Sequence, residues 1–238
     1  MRINQITSTL GVLFYILAVI TGLFLIMIST WGDMEADSYG FPRRANAPLN
    51  GLACPMLLTR NETGVIALNV SNPTDRLLHP SARTEISAAF EPEVSVESFE
   101  LAPGASKRLA WSLKPENIVL GNFILANVQV YATYPIPNRE KTCGILVMDL
   151  PGTGNMIVTA LAIFTAIGLA FGLYSMSKSG LPKAKGSNIW NGILFLSVLI
   201  VTGLIFSFIG SWIPSLGSLV LAVLTSIMLL NLTFFREG

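Results

Sequence analysis

The stretch from Leu10 to Ile28 reads LGVLFYILAVITGLFLIMI, and it decides the class of this chain. It lies within a longer segment, residues 3–32, that carries no charged side chain. A helix of ~20 apolar residues is long enough to cross ~30 Å of hydrocarbon. A cleaved signal peptide is the alternative, but its apolar region would span only about 7–15 residues. The sequence therefore predicts a retained transmembrane helix within residues 1–32.

Two further segments towards the C-terminus also lack charged side chains. Residues 150–177 and 186–235 are uncharged, whereas all but six of the charged residues of the chain lie between Asp33 and Asp149. The first of these segments predicts one span, at 156–176. The second is long enough for two, and because Gly and Pro interrupt it at 210–214, we expect spans at about 188–209 and 215–235. Residues 151–238 are thus predicted to hold helices 2–4.

Lysines in a short loop predict the orientation of the spans. Residues 178–185 contain Lys178, Lys183 and Lys185 and no acidic residue. Short loops rich in Lys and Arg stay on the cytoplasmic side of a membrane. With four spans, Arg2 and Arg236 fall on that side as well. We therefore expect a plasma-membrane protein with both termini cytoplasmic and residues 33–150 extracytoplasmic.

Residues 33–150 show the two-residue alternation of β-strands. Leu109, Trp111 and Leu113 alternate with polar or small residues, and Ile86, Ala88 and Phe90 are predicted to form another inward-facing set. Turn residues separate about seven such runs, which are expected at 54–59, 64–71, 83–90, 93–101, 106–113, 123–132 and 141–148. Seven short strands in ~100 residues are typical of an immunoglobulin-like β-sandwich. The predicted fold class is membrane α+β, with this sandwich inserted between helices 1 and 2.

The two cysteines, Cys54 and Cys143, fall in the predicted first and last strands. Outside the cytoplasm such a pair favours a disulfide, and two unpaired buried thiols are the alternative. A four-ligand zinc site would need carboxylates, since only one histidine, His79, is available.

A resemblance appears in residues 63–115. The runs TGVIALNVSNPTD (63–75) and FELAPGASKRLAWSLKP (99–115) resemble bacterial immunoglobulin-like and CARDB-type modules. The resemblance implies a β-sandwich with a binding role and carries no catalytic residues. The layout of four spans, with an outer β-domain and Trp31-Gly32 just after the first span, also resembles that of claudins. Claudins differ in having a smaller outer segment with closely spaced cysteines.

Within the spans, small residues are the main candidate for a specific contact. Gly168 and Gly172 have the spacing that lets helices approach closely; the contact could be internal or made with a partner. None of the four predicted spans contains Asp, Glu, Lys, Arg or His, which argues against a coupled transporter.

No catalytic, cofactor-binding or metal-binding residues are predicted. The chain has one histidine and no G-x-S-x-G motif. Four carboxylates are close in sequence and indicate either a solvated acidic face or a cation site: Glu91, Glu93, Glu97 and Glu100.

These observations favour a non-enzymatic accessory subunit of a membrane protein complex, whose β-domain docks an extracytoplasmic partner. One alternative is a claudin-like or receptor-like adhesion protein, and another is a membrane-embedded channel or enzyme in which Thr165, Thr202 and Thr225 converge. The expected partners are membrane lipid and other membrane subunits or a second copy. Nucleic acid is not expected, since the formal net charge is only +1.

Overall fold

The computed structural model describes residues 2–45, 47–131, 137–178 and 187–234. The helices are α1 (Arg2–Ser38), α2 (Gly154–Lys178), α3 (Ser187–Ile209) and α4 (Trp212–Phe234). The strands are β1 (Ala47–Pro48), β2 (Leu52–Ala53), β3 (Leu57–Thr59), β4 (Gly64–Ser71), β5 (Ser81–Ile86), β6 (Glu93–Ser98), β7 (Ser106–Leu113), β8 (Phe123–Tyr131) and β9 (Arg139–Met148), with a 3₁₀ turn at Pro115–Asn117. The chain forms two compact units: a helical unit, Met1–Thr30 with Ile157–Gly238, and a strand unit, Trp31–Met156.

The four predicted apolar helices are present, and each is long and apolar enough to cross a membrane. These stretches are Thr9–Ser38, Gly154–Lys178, Ile189–Ile209 and Trp212–Leu232. Of the lysines that predict sidedness, Lys178 is the last residue of α2, while Lys183 and Lys185 lie outside the described residues.

Helix α1 is longer than the sequence analysis predicts. It continues to Ser38, beyond the predicted boundary at residue 32. Hydrogen bonds one turn apart support the extra turns: the Trp31 indole donates to Glu35 at 2.9 Å, and the Ser38 hydroxyl donates to the Met34 carbonyl at 3.0 Å. The end of α1 therefore belongs to the strand unit.

In the helical unit, α1 packs against each of the other three helices. Ala18 lies against Gly168 of α2, the Tyr15 hydroxyl donates to the Ile193 carbonyl of α3, and Thr30 donates to Ser215 of α4. The buried apolar core of this unit is Tyr15, Ala18, Val19, Ile26, Leu169, Met176, Leu196, Leu199, Ile200 and Ala222.

The described residues of the strand unit form two sheets. In the larger, the strand order is β1-β9-β8-β5-β6, with β3 also paired to β9; in the smaller, it is β2-β4-β7. Strands β1 and β3 run parallel to β9, and the other pairs are antiparallel. The last strand, β9, therefore joins the earliest strands of the unit to β8.

The two sheets face each other across one apolar core, which confirms the predicted sandwich. Alternate residues of the smaller sheet, such as Ile66, Leu68 and Leu109, are almost fully buried. They share a cluster with Ala126 and Val128 of the larger sheet. The period of two along β4, β7 and β8 thus forms the core directly.

Three predicted strands were wrong in their extent, and the run 93–101 forms a strand only at Glu93–Ser98. Of the run 54–59 only Leu57–Thr59 forms a strand, because Pro55 cannot donate a ladder hydrogen bond. The run 83–90 ends as a strand at Ile86, and Phe90, predicted to face inward, is 99% exposed. Ser87 is the last residue bonded to β8: its N–H donates to the Leu125 carbonyl at 2.8 Å, while its hydroxyl donates to the Asn117 carbonyl at 2.8 Å.

Residues 31–45 cover the outer face of the larger sheet. Ala36 and Phe41 pack on Leu125 of β8, and the Gln129 amide donates to the Pro42 carbonyl at 3.0 Å. The Asp33 carboxylate accepts the Gly144 N–H at 3.2 Å. This cover explains why the centre of the larger sheet is buried on both faces.

Candidate interaction surfaces

The predicted disulfide joins Cys54 and Cys143. The bridge spans 89 positions of the sequence, and its Cα atoms are 6.6 Å apart. Cys143 lies in β9 as predicted, whereas Cys54 lies between β2 and β3. The bridge therefore fixes the early part of the strand unit to its last strand.

Gly168 and Gly172 lie where α2 contacts α1. A Cβ atom at Gly168 would be 2.7 Å from the Ala18 Cβ, and one at Gly172 would be 2.6 Å from the Tyr15 Cβ and 3.0 Å from the Gly11 carbonyl oxygen. Such distances are closer than van der Waals contact allows, so only glycine permits this approach of the two helices. The contact is internal to the bundle.

The three threonines suggested for a polar site each bond within their own helix. Thr165, Thr202 and Thr225 donate to the carbonyl four residues earlier, at 2.9, 2.8 and 2.7 Å. Their hydroxyls are therefore satisfied locally.

A different group of hydroxyls does converge, and the sequence analysis missed it. The Ser207 and Ser215 hydroxyls are 2.7 Å apart, Thr30 donates to Ser215 at 3.1 Å, and Ser29 donates to the Ser207 carbonyl at 3.4 Å. All four residues are buried. These neutral hydroxyl groups connect α1, α3 and α4. Sequence analysis missed the cluster because isolated Ser and Thr residues in an apolar segment do not indicate which of them will be in contact.

The most exposed element of the strand unit is β6, at the edge of the larger sheet. All six of its residues, Glu93–Ser98, are exposed. It pairs with β5 on one side and, among the described residues, with no strand on the other. An edge of this kind presents unpaired N–H and C=O groups to which a further strand can bind.

The two faces of β6 differ in chemistry. Glu93 and Glu97 lie opposite Ile86 and Ala82 of β5, which face the core. Residues opposite each other in an antiparallel pair share a face, so these carboxylates lie on the core side. Val94 and Val96 lie on the outer face and are 52% and 61% exposed.

The predicted acidic cluster is spread over the hairpin and strand. Lys107 of β7 donates to Glu97 at 2.8 Å, and the His79 Nδ1 is 3.5 Å from a Glu100 carboxylate oxygen. Among the described residues, no group of three or more His, Cys, Asp or Glu side chains could hold a metal ion.

A cavity of about 340 Å³ lies at the end of the sandwich where β9 begins, opposite the end that carries the hairpin between β5 and β6. Its walls include Leu49, Leu78 and Leu101, with Asn69 and Arg139 as polar groups. Arg139 is the one charged residue among the described lining residues.

No family model and no curated protein sequence matches the chain. Among solved structures, it is similar to a CARDB domain from Pyrococcus furiosus in complex with di-metal ions, with a TM-score of 0.34, 14% identity, and coverage of 45% of this chain and 98% of that chain. It is also similar to a β-glucosidase from Listeria innocua, with a TM-score of 0.30, 14% identity, and coverage of 45% of this chain and 17% of that chain. A β-glucosidase from Erythrobacter marinus gives a TM-score of 0.27 and 14% identity, covering 39% of this chain and 14% of that chain.

The chain therefore spans less than a fifth of the length of either glucosidase. With TM-scores this low, the likeness extends no activity or ligand to this protein. The conclusions below rest on the residues of the chain itself.

Proposed function

We propose that this chain is a non-enzymatic accessory subunit of a membrane protein complex, with its β-sandwich docking an extracytoplasmic partner. The observation that carries the proposal is the free edge of β6, whose six residues are all exposed. The partner would add an extended segment to this edge, so that main-chain hydrogen bonds supply affinity and alternate side chains supply specificity.

The charges on β6 indicate the chemistry of that segment. Its core side carries Glu93 and Glu97, and the preceding hairpin carries Glu91. A partner strand with Lys or Arg opposite these carboxylates, and apolar residues beside Val94 and Val96, would match both faces.

The same charges disfavour a second copy as the occupant. Two copies of β6 paired antiparallel with Ser95 opposite Ser95, the register that keeps the carboxylates of both copies on one face, would place Glu93 opposite Glu97 twice. Like charges directly opposite each other destabilise a strand pair. The adhesion alternative, through this edge, is therefore less favourable than pairing with a basic partner.

The helical unit supports a structural role. Residues 9–30, 154–177, 189–209 and 212–232 contain no Asp, Glu, Lys, Arg or His. Large apolar side chains such as Val198, Ile213 and Met228 remain at least 60% exposed on its surface. These faces suit contact with lipid or with the helices of other subunits. We place the sandwich outside the cell, both termini in the cytoplasm, on the basis of the predicted Lys178–Lys185 loop.

Purification of the full chain from its native membrane in mild detergent tests the proposal. Val94→Lys and Val96→Lys change exposed side chains and should leave the fold intact while removing a co-purifying protein. Val65→Lys is the matched control, because Val65 is 49% exposed on β4 of the other sheet. The wild-type complex should also weaken as ionic strength rises, since exposed charges are screened over ~10 Å at 0.1 M salt.

A single-copy wild-type chain with no co-purifying protein would contradict the proposal. A complex of two identical chains that Val94→Lys disrupts would instead support the adhesion alternative. Equal partner loss from Val65→Lys and Val94→Lys would remove β6 as the docking site.

A further inference from the structure

One end of the sandwich is formed by loops that are joined to the start of α2. We call this end the rim, and it comprises residues 59–62, 87–92, 115–122 and 148–154. The Glu62 carboxylate accepts N–H groups from Thr59 and from Gly154, at 3.0 and 2.7 Å. Gly154 is the first residue of α2 and belongs to the strand unit. The start of a candidate span is thus fixed to the rim.

Hydrogen bonds connect the other loops of the rim to this point. The Arg60 N–H donates to the Met148 carbonyl at 3.1 Å, and the Val147 N–H donates to the Asn122 carbonyl at 2.8 Å. The Asn117 amide donates to the Ser87 carbonyl at 3.1 Å. The hairpin between β5 and β6 therefore lies at the same end as the start of α2.

Two loops of the rim present large apolar side chains to solvent. Phe90, at the hairpin tip, is 99% exposed, and Leu120 is 62% exposed. At the start of α2, Met156 is also 63% exposed. Single exposed apolar residues are common on protein surfaces, but here two of them, Phe90 and Leu120, lie on the rim from which a candidate span begins, a position that suits contact with lipid.

Leu120 also has an unusual backbone. Its φ is +50°, and it is the one non-glycine residue with positive φ among the described residues. A left-handed conformation costs a bulky L-residue roughly 1–2 kcal/mol. Asn would fit this position better, so the presence of Leu indicates that its side chain is used.

We propose that Phe90 and Leu120 insert into the interfacial layer of the lipid bilayer and hold the rim on the membrane surface. The headgroup layer on each side of the hydrocarbon is roughly 5–8 Å thick, equal to about four or five residues of helix. A helix that begins at Gly154 on the rim reaches hydrocarbon within its first turns. Loops at the same end of the sandwich are then within reach of the boundary.

The contact is apolar in character. The charged residues of the rim are of both signs: Arg60, Glu62, Glu91, Glu116, Lys114 and Asp149 lie in it or border it. A surface with no excess of Lys and Arg gains little from anionic lipid. Insertion should therefore occur in zwitterionic phosphatidylcholine bilayers.

The test uses the full chain reconstituted in phosphatidylcholine nanodiscs. Both native cysteines are in the disulfide, so one added cysteine can be labelled with an environment-sensitive fluorophore without reduction. Ala89→Cys places the label beside Phe90 and keeps both apolar side chains. Leu77→Cys is the matched control, because Leu77 is 52% exposed in a loop at the opposite end of the sandwich.

Lipid carrying a doxyl quencher near the headgroup reports insertion. Side chains in this layer lie ~5–10 Å into the boundary, so quenching at Ala89→Cys should be at least about twofold stronger than at Leu77→Cys. Aqueous iodide should show the reverse order. Adding Phe90→Ser and Leu120→Asn should reduce the doxyl quenching to the level of the control.

Equal quenching at Ala89→Cys and Leu77→Cys would overturn the inference. Quenching that persists after Phe90→Ser and Leu120→Asn would also overturn it, because the side chains would then not hold the rim. Both substitutions are at exposed positions, and melting temperature in detergent should be unchanged or higher. Since Val94 and Val96 do not belong to the rim, the inference stands independently of docking at β6.

Discussion

The disulfide offers a quantitative test of how the strand unit is held together. Cys54 and Cys143 are 89 positions apart, and for a closed loop of about 90 residues the chain-entropy relation gives roughly 4.6 kcal/mol of stabilisation at 25 °C. That value assumes an unfolded chain whose ends are free. Here the ends are not free, since the strand unit is flanked by α1 and α2, and these helices are packed together at Gly168 and Ala18.

The packed helices reduce the expected contribution of the bridge. The unfolded strand unit is already a ring, and the bridge divides it into loops of about 90 and about 33 residues. Because the two loops share the ring, the effective loop length is the product of their lengths divided by the sum, about 24 residues. For this length the same relation gives about 3.5 kcal/mol. With a urea m-value of about 2 kcal/mol per M, reduction of the bridge should lower the unfolding midpoint by about 1.7 M.

Pulse proteolysis with trypsin in mild detergent measures this midpoint. The apolar spans contain no Lys or Arg between residues 9 and 30, 154 and 177, or 189 and 232. Because Lys178, Lys183 and Lys185 also offer trypsin sites, unfolding of the strand unit is followed as loss of the fragment that contains residues 31–156. Comparing oxidised with reduced wild-type protein removes the cross-link alone. Cys54→Ala combined with Cys143→Ala should lower the midpoint further, because Cys143 is buried in the core. Identical midpoints for oxidised and reduced protein would refute the reasoning.

Three other substitutions test particular contacts. Gly168→Leu should separate α2 from α1 and lower the melting temperature in detergent, because its Cβ would lie 2.7 Å from the Ala18 Cβ; Gly217→Leu, with nothing within 4 Å, should have little effect, and equal losses would contradict the assignment. Ser215→Ala should destabilise the helical unit by about 1 kcal/mol, measured by steric trapping in micelles, and no change would show that the buried hydroxyl bonds are replaceable. Asn117→Ala should cost the strand unit about 1–3 kcal/mol in urea unfolding, because the buried Ser87 carbonyl and the Lys114 N–H both lose their partner. A loss below the lower value would mean that water replaces the amide.

The elements that were predicted correctly from the sequence are those with one clear local pattern of apolar residues. Strands β4 and β7 alternate cleanly, and the structure places them at the predicted bounds, Gly64–Ser71 and Ser106–Leu113. The four apolar helices were likewise predicted from the length of the segments that lack charged residues. Both signals are local, so they do not depend on tertiary contacts.

The sequence failed where a long-range contact determines the local structure. The run through Phe90 alternates like a strand, yet the strand ends at Ile86, because the Ser87 carbonyl and hydroxyl bond to Asn117, thirty positions away. Helix α1 extends to Ser38 because its end packs on Leu125. The cluster of hydroxyl side chains around Ser215 can form only when α1, α3 and α4 have packed together. In none of these contacts does the sequence spacing of the two partners predict that they will meet.

The position of β9 has a consequence for biogenesis. This strand is the last of the sandwich in sequence, but it pairs with β1, β3 and β8 and carries Cys143. Until residues 139–148 have been delivered, the early strands of the larger sheet have no partner, β8 has an open edge and Cys54 has no thiol to oxidise with. Strand pairings of such large sequence separation form slowly, and unpaired edges expose a chain to aggregation. The nascent domain therefore depends on protection from aggregation until β9 has been synthesised. Only five residues separate the end of β9 from the start of α2, so the domain is completed as α2 reaches the insertion machinery.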